Sequence, residues 1–174
     1  MSEERETRFE VGDAVVHPVR GAGVVVGIET RERDGEEEQY YRIKPVDEDV
    51  SVLMIPVDRV EEMGVRKAVD EGELKKVWEI LQGEPHKLPS NYRKRHSMMR
   101  EKLQTGDILE VAEAVKDMAG RRRGEKGLTT RGKRIYETGL ELLAGEIATV
   151  EEIPVVDARA RIKEMMRETV KSAE

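Results

Sequence analysis

A change in hydrophobic periodicity near residue 65 constrains the fold of this chain more than any other feature. Before this point, apolar residues come in short β-branched runs separated by turn residues, with a period near two. After it, apolar residues recur every three or four positions, which is typical of helices buried along one stripe. One sheet or one helical bundle cannot satisfy both periods. The sequence therefore predicts an α+β chain with a β domain followed by a helical domain.

The first third of the chain carries strand and turn signals at short spacing. Phe9–Pro18 and Val24–Ile28 are rich in β-branched residues, and Gln39–Ile43 alternates between apolar and polar. Asp34–Gly35 is typical of a two-residue hairpin turn, and a further β-branched run, Val50–Pro56, follows an acidic turn. Several short strands with close turns predict a small SH3-like or Tudor-like barrel.

The rest of the chain predicts four helices and a final amphipathic stretch. The helix starts are Glu71, a cap at Ser90 or Asn91, and caps at Asp107 and Thr129; the first helix closes at Gly83, and the second runs to about Gln104. The predicted inward faces are Leu74, Val77, Trp78 and Leu81, then Ile108, Val111, Val115 and Met118, then Ile135, Tyr136, Leu142, Leu143 and Ile147. After Pro154, Ile162, Met165, Met166 and Val170 form an apolar stripe. We expect a β domain over residues 1–66, a helical bundle over 67–150 and a C-terminal helical extension or tail over 151–174.

The net charge of −6 hides a split along the chain. Residues 1–64 hold 8 Lys and Arg against 17 Asp and Glu, residues 65–149 hold 18 against 14, and residues 150–174 hold 5 against 6. Surface fields act within a Debye length of roughly 8–10 Å. The middle segment can therefore meet a polyanion while the first segment repels it.

Several classes of function find no support in the residues. There are no cysteines, no long apolar run and no apolar segment near the N-terminus, so we expect a cytoplasmic protein without disulfides, a membrane span or a secretory signal. His17, His86 and His96 lie at no metal-ligand spacing and are interpreted as turn or surface residues. No nucleophile elbow or phosphate-binding P-loop is present. We expect no enzymatic activity, no metal and no cofactor.

Two basic segments favour contact with a polyanion. Asn91–His96 places an aromatic residue and three consecutive cations at a helix start, where free backbone N–H groups can also face a phosphate. A second cluster consists of Lys116, Arg121, Arg122, Arg123, Lys126, Arg131, Lys133 and Arg134. If the bundle brings both together, they form one cationic face. Solvated helix ends, with the arginine run as a charge complement to a helix C-terminus, are the alternative.

Tyr92 and Trp78 are the two aromatic residues that need separate interpretations. The neighbours of Tyr92 are polar, so its ring is expected to be exposed, which suits stacking on a base or wedging into a base step from the minor groove. Packing of this ring under the preceding connector remains the alternative. Trp78 lies on an apolar helical stripe and is expected in the core.

The order of several short motifs resembles the CarD/CdnL family of RNA-polymerase-binding transcription regulators. The first half is similar to the domain that this family shares with the transcription-repair coupling factor, through Phe9–Pro18, Gly21–Val25, Tyr40–Tyr41, Ile55–Val57 and Met63–Arg66. The second half is similar to the family's helical domain, through Asn91–His96, Leu103–Asp107 and Leu142–Ala148. The resemblance covers about residues 8–150.

This resemblance implies a transcription regulator without enzymatic activity. Its Tudor-like domain would bind the RNA polymerase β subunit, and its helical domain would contact promoter DNA at the upstream edge of the bubble and stabilise the open complex. The implied DNA-binding residues are Tyr92, Arg93, Lys94, Arg95, Lys133 and Arg134; the implied polymerase-binding residues are Arg31, Met54, Ile55 and Pro56. Contact through the minor groove would be weakly sequence-specific. We expect a monomer that is associated with the nucleoid through polymerase.

Three positions depart from the family pattern. Tyr92 stands where tryptophan is usual, which weakens the expected wedge. Met54 stands where many members have an arginine toward polymerase, which shifts weight to Arg31. Gly132 replaces the glutamate of the usual capping box, which leaves Thr129 as a lone cap and removes about 0.5–1 kcal/mol of helix support.

Two other functions remain open from the residues alone. In one, the helical half binds another protein and its cations serve solubility. In the other, the chain acts in coupling transcription to DNA repair, although without a P-loop it would not itself be a translocase.

Overall fold

The computed structural model describes residues 8–124 and 127–172, and the chain divides into two compact units. The first unit ends at Ala68 and the second begins at Val69. No helix within the described ranges is long and apolar enough to span a membrane. The α+β organisation predicted from the change of period, with strands first and helices after, is confirmed.

In its described residues, the first unit is an antiparallel five-stranded sheet. Its strands are β1 Ala14–His17, β2 Gly21–Arg33, β3 Glu36–Pro45, β4 Leu53–Pro56 and β5 Arg66–Lys67, in the spatial order β4-β3-β2-β1-β5. A short 3-10 helix, Val57–Arg59, follows β4. In the part of the chain that the structure describes, β4 pairs only with β3, and β5 pairs only with β1. The sheet is therefore open, and strand pairing does not close the barrel that we expected.

The turn between β2 and β3 is the one that the sequence predicts. Arg33 pairs with Glu36, so Asp34 and Gly35 form a two-residue turn, and their φ values of 52° and 82° are both positive. A type I′ turn requires positive φ at both positions, and Asp-Gly is among the pairs that tolerate it best. A register shift between Val25 and Gly27 then bends the long hairpin.

The core of the first unit is assembled on one face of the sheet. Phe9 and Tyr41 are fully buried, with ring centroids 5.4 Å apart, and the backbone N–H of Phe9 donates to the Tyr41 hydroxyl at 3.2 Å. The other buried members of this cluster are Val15, Val25, Ile43, Ile55, Val60 and Val65. Through this hydrogen bond the buried Tyr41 hydroxyl has a partner. The bond also holds the backbone at Phe9 in place just before the first strand.

Within the described residues, the second unit consists of five helices. They are α1 Glu71–Gln82, α2 Tyr92–Gln104, α3 Ile108–Arg123, α4 Thr130–Glu151 and α5 Val155–Ser172. The predicted caps at Asn91, Asp107 and Thr129 are confirmed, because each side chain accepts a hydrogen bond from a backbone N–H in the first turn. Asp70 caps α1 in the same way, and Gly83 ends it.

Helix α3 packs against α1, α2 and α4, and α5 packs against α1 and α4. All four residues predicted to face inward on α3 are buried. Buried Glu146 accepts a hydrogen bond from the backbone N–H of Val69 at 3.0 Å, so a carboxylate within α4 holds the first residue of the unit.

Some details of the predicted core are wrong. On α4, Leu140 is fully buried and Leu142 is only half-buried, because the inner stripe follows the 3.6-residue period from Tyr136 to Leu140. Trp78 is half-buried, with the guanidinium of Arg161 5.9 Å from its ring centroid. On α5, Ile162 and Met166 are buried as predicted, but Met165 is half-buried. The side chain of Val170 and the loop residues Glu125 and Lys126 lie outside the described part of the chain.

Candidate nucleic-acid interface

Tyr92 is the first residue of α2 and is 51% exposed. Asn91 caps the helix by accepting from the backbone N–H of Lys94 at 3.1 Å. The guanidinium of Arg93 lies 5.8 Å from the centroid of the Tyr92 ring, and Arg93 Nε donates to the Tyr92 hydroxyl at 3.3 Å. The exposed ring predicted from its polar neighbours is therefore present, with a cation at its face.

A groove of about 800 Å³ runs beside Tyr92 along α2 and the start of α4. We call it the Tyr92 groove; it is lined by Tyr92, Arg93, His96, Ser97, Arg100, Glu101, Gln104 and Arg131. In the described parts of the chain, none of its three arginines forms an ion pair, and Glu101 is its one acidic residue. The groove therefore presents to solvent an aromatic ring and guanidinium groups that no carboxylate neutralises.

Arg100 is a groove residue that the sequence analysis missed, and Arg131 was placed in the second basic cluster but not among the site residues. Tyr92, His96 and Arg100 are spaced four residues apart, and positions at this spacing share one face of a helix. That spacing was a signal for Arg100. Arg131 had no comparable signal, because its place beside Tyr92 depends on the packing of α4 against α2.

Arg95 is not on this surface. It is 3% exposed, and its Nη1 donates to the carbonyl oxygens of Pro89 and Ser90 at 3.0 and 3.2 Å. Burial, followed by the positive charge of nearby Arg121, lowers the pKa of Arg95. In this conformation its guanidinium is not accessible to DNA, contrary to the expectation from the basic run; it holds the connector in front of Tyr92 instead.

The connector between α1 and α2 is fixed at two further points. Asp117 of α3 is 2% exposed and accepts from the backbone N–H of His86 at 2.8 Å, with the His86 ring Nδ1 at 3.2 Å from the same oxygen. Pro85 packs on Gly120, where an added Cβ would lie 2.4 Å from the proline Cβ. Only glycine leaves room for this contact. The chain therefore enters α2 along a defined path.

His96 is buried, at 6% exposure, so its interpretation as a turn or surface residue is wrong. Its Nε2 lies 3.1 Å from the Thr129 hydroxyl, which also accepts from the backbone N–H of Gly132 at 3.0 Å. Burial, and then the charges of Arg95, Arg131 and Arg100, lower the pKa of His96. The neutral ring thereby joins α2 to the cap of α4. A Cβ on Gly132 would lie 3.3 Å from both His96 Nε2 and Thr129 Oγ1, so a larger residue there would require these two groups to shift by a few tenths of an ångström.

The other two histidines are placed as predicted. His17 lies at the end of β1, where its Nδ1 accepts from the backbone N–H groups of Val19 and Arg20 in the following turn. His86 is an exposed residue of the connector.

The second basic cluster does not join Tyr92 in one face. Lys116 is 6% exposed beside Asp117, and Arg121 is only partly exposed. Arg131 enters the Tyr92 groove, while Lys133 and Arg134 are exposed at the start of α4 and do not line it. Arg122 and Arg123 line a different cavity. Lys126 lies outside the described residues.

The residues expected to bind polymerase lie in the first unit. Arg31 is exposed near the tip of β2 and forms an ion pair with Glu29 at 3.3 Å. Met54, Ile55 and Pro56 belong to β4, an edge strand of the sheet. The side chain of Ile55 is buried in the core, whereas Met54 and Pro56 are half-buried. What β4 offers a partner is its open backbone edge and these two side chains.

Comparisons with known proteins match both halves of the chain. Residues 9–69 match the family model of the CarD-like/TRCF RID domain, and residues 76–163 match that of the CarD C-terminal domain. A relative from Bacillus subtilis (strain 168), described as "Putative transcription factor YdeB", is 33% identical over 146 residues. The aligned region covers 83% of this chain and 94% of that relative.

Proposed function

The chain belongs to the CarD family, and from this premise we propose that it is a transcription regulator that bridges RNA polymerase and promoter DNA. The first unit, taken as Tudor-like, binds the polymerase β subunit. The second unit contacts DNA at the upstream edge of the bubble and stabilises the open complex. The observation that carries the proposal is the Tyr92 groove, in which an exposed ring at a helix start is accompanied by Arg93, Arg100 and Arg131.

The chemistry of the groove suits DNA with little sequence preference. Guanidinium groups contact phosphates and release counterions, a term that depends on salt and carries no base information. An aromatic ring that enters the minor groove can unstack a base step, which is easiest where the duplex is already melting. Tyr92 has the exposure that this requires, and Lys94, Lys133 and Arg134 are exposed cations that can reach phosphates farther along the strand.

Arg95 has a positioning role in this proposal. Its contacts with the carbonyl oxygens of Pro89 and Ser90 fix the last residues before α2. A wedge that is held in place loses less conformational entropy when it enters DNA than one on a flexible segment.

The open edge of β4 is the surface that we assign to polymerase. An edge strand has unpaired backbone N–H and C=O groups, and a strand of a partner can extend the sheet there. Met54 and Pro56 lie along this edge, and Arg31 supplies an exposed charge elsewhere on the sheet. Once this unit is docked, the second unit meets DNA at a high effective concentration, so two weak surfaces suffice.

The test is the lifetime of the promoter complex, measured with the polymerase of the same organism. Tyr92→Ala is expected to shorten the lifetime about tenfold, since a stacked aromatic contributes roughly 1–3 kcal/mol. Co-migration of the protein with polymerase should not change. An unchanged lifetime would remove the wedge from the proposal, and a failure to co-migrate would overturn the bridge altogether.

The groove cations are tested by the dependence on salt. The measured quantity is the affinity of the polymerase complex for promoter DNA at several salt concentrations. Arg100→Gln combined with Arg131→Gln is expected to reduce the slope of log affinity against log salt concentration by about two, since each phosphate contact contributes roughly 0.9. Lys75→Gln combined with Lys76→Gln removes two exposed cations of α1 outside the groove and is the matched control. A response to promoter DNA that is flat in salt for every variant would favour the alternative, a protein-interaction module without a DNA role.

A further inference from the structure

A second cavity lies in the helical unit, among α3, α4 and α5, and the proposed function does not use it. Its volume is about 220 Å³, and it is lined by Ala119, Arg122, Arg123, Tyr136, Lys163, Met166 and Arg167. None of these residues lines the Tyr92 groove. The C-terminal helix contributes three of them, which gives residues 151–174 a place in a site.

The cavity is strongly cationic. Among the residues that the structure describes, four of those that line it carry a positive charge and none carries a negative one. Among the described residues, Arg122, Lys163 and Arg167 form no ion pair, while Arg123 Nη1 donates to the carbonyl oxygen of Met166 at 3.0 Å. Glu137, which follows Tyr136 in the sequence, is paired with Arg159. Charges of one sign that gather around a concave surface focus a field that attracts an anion.

Tyr136 forms the wall of this cavity and is 4% exposed. The guanidinium of Arg122 lies 5.6 Å from its ring centroid. Its hydroxyl forms no hydrogen bond with the described parts of the chain, and the buried side-chain polar atoms that lack a partner there are Arg95 Nε and Arg121 Nε, so the Tyr136 hydroxyl is open to solvent in the cavity. Burial raises the pKa of Tyr136 despite the nearby arginines, so the hydroxyl keeps its proton and remains a donor.

We propose that Arg122, Arg123, Lys163 and Arg167 form, around the Tyr136 hydroxyl, a binding site for a phosphoryl group that is distinct from the Tyr92 groove. Guanidinium groups match the oxygens of a phosphate in geometry as well as in charge. The cavity is smaller than the roughly 300–1,000 Å³ of sites for drug-sized ligands, so it fits one or two phosphoryl groups and not a whole nucleotide. The phosphoryl group can belong to a free phosphate compound or to a DNA backbone.

The experiment is isothermal titration of the full chain with inorganic pyrophosphate. We expect saturable binding of one equivalent, which Arg122→Gln combined with Arg167→Gln abolishes. Tyr136→Phe keeps the ring and removes only the donor, so it should weaken binding about tenfold, as expected for a hydrogen bond to a charged group. Thermal denaturation of each variant without ligand shows whether the fold is retained.

The Tyr92 groove supplies the reciprocal control. Arg100→Gln combined with Arg131→Gln removes the same amount of charge from the same unit and should leave pyrophosphate binding unchanged. No saturable binding, or an equal loss in the groove variant, would overturn the site, because the cations would then act only through net charge.

A second titration, with a short DNA duplex already bound, identifies the source of the phosphoryl group. Competition between duplex and pyrophosphate assigns the cavity to a backbone phosphate. Simultaneous binding of both assigns it to a free phosphate compound. Either result leaves the proposed function to be decided by the promoter-complex lifetime, which uses different variants.

Discussion

Tyr92 and Tyr136 lie in the same helical unit, and each has an arginine at the face of its ring. The Arg93 guanidinium is 5.8 Å from the Tyr92 centroid, and the Arg122 guanidinium is 5.6 Å from the Tyr136 centroid. Yet Tyr92 is 51% exposed and Tyr136 is 4% exposed. The same pair of residue types therefore offers a partner a whole ring in one place and only a hydroxyl group in the other.

The difference arises from the position of each ring on its helix. Tyr92 begins α2, where it meets only the T-shaped contact of His96 at 6.0 Å among the aromatic neighbours described. Tyr136 lies within the buried stripe of α4, between Ile135 and Leu140. A ring at a helix start can stack on a base, whereas a ring in a stripe is held by the core. Burial, and not residue type, decides what each tyrosine can bind.

The largest expected difference between the two tyrosines is the loss of folding stability when each is replaced by alanine. Tyr136→Ala is expected to lower the free energy of unfolding by about 3–5 kcal/mol, as for other large buried aromatics. Tyr92→Ala should lower it by about 1 kcal/mol or less, since the ring contact with His96 is the main interaction lost. Urea denaturation of both variants measures the difference. Equal losses would contradict the contrast.

The connector should support the exposed ring and not the buried one. Asp117→Ala leaves the His86 backbone N–H without its acceptor, so we expect a loss of about 1–3 kcal/mol in the free energy of unfolding. Relative to wild type, the fold-change that Asp117→Ala causes in promoter-complex lifetime should be larger than the fold-change in pyrophosphate affinity. Glu113→Ala, at a position on the same helix as Asp117, breaks a partly exposed ion pair with Lys102 of α2; it is the control and should cost about 0–1 kcal/mol. Reversed sensitivities would show that the connector does not position Tyr92.

The smallest expected effect is a dependence on pH through His96. Its pKa is lowered in the folded state, so the unfolded chain binds the proton more readily. The contribution of His96 to the free energy of unfolding is therefore complete above the ordinary histidine pKa of about 6.5. It decreases as the pH falls from that value toward the lower folded-state pKa, and it is lost below the folded-state pKa. His96→Gln should flatten this part of the curve.

The difference between wild type and this variant is the quantity to measure, because the pKa of His17 in the first unit is also lowered by burial and by Arg20. Identical curves would mean that His96 is not held neutral beside Thr129. The position of the Tyr92 ring would then depend on the connector contacts of Arg95 and Asp117 alone.

Local sequence signals predicted much of the fold. The change in period near residue 65 separated strands from helices, and Asp34–Gly35, Asn91, Asp107 and Thr129 marked a turn and three helix starts that the structure contains. Each of these signals acts within a few residues, through φ preferences or a side chain that caps its own helix. The polar neighbours of Tyr92 likewise predicted its exposure.

Helix phase and tertiary packing together decided which cations face solvent. Arg93, Lys94 and Arg95 are consecutive and look alike in the sequence, but the turn of α2 directs Arg95 inward onto the carbonyl groups of the connector. Arg131 joined the Tyr92 groove because α4 packs against α2, and Arg122 joined Tyr136 because α3 packs against α4. A run of cations in the sequence shows how many positive charges a segment carries. Which of the two sites each cation joins depends on side chains that are far away in the chain. The sequence alone determined the order of the elements and their ends, and packing determined the sites.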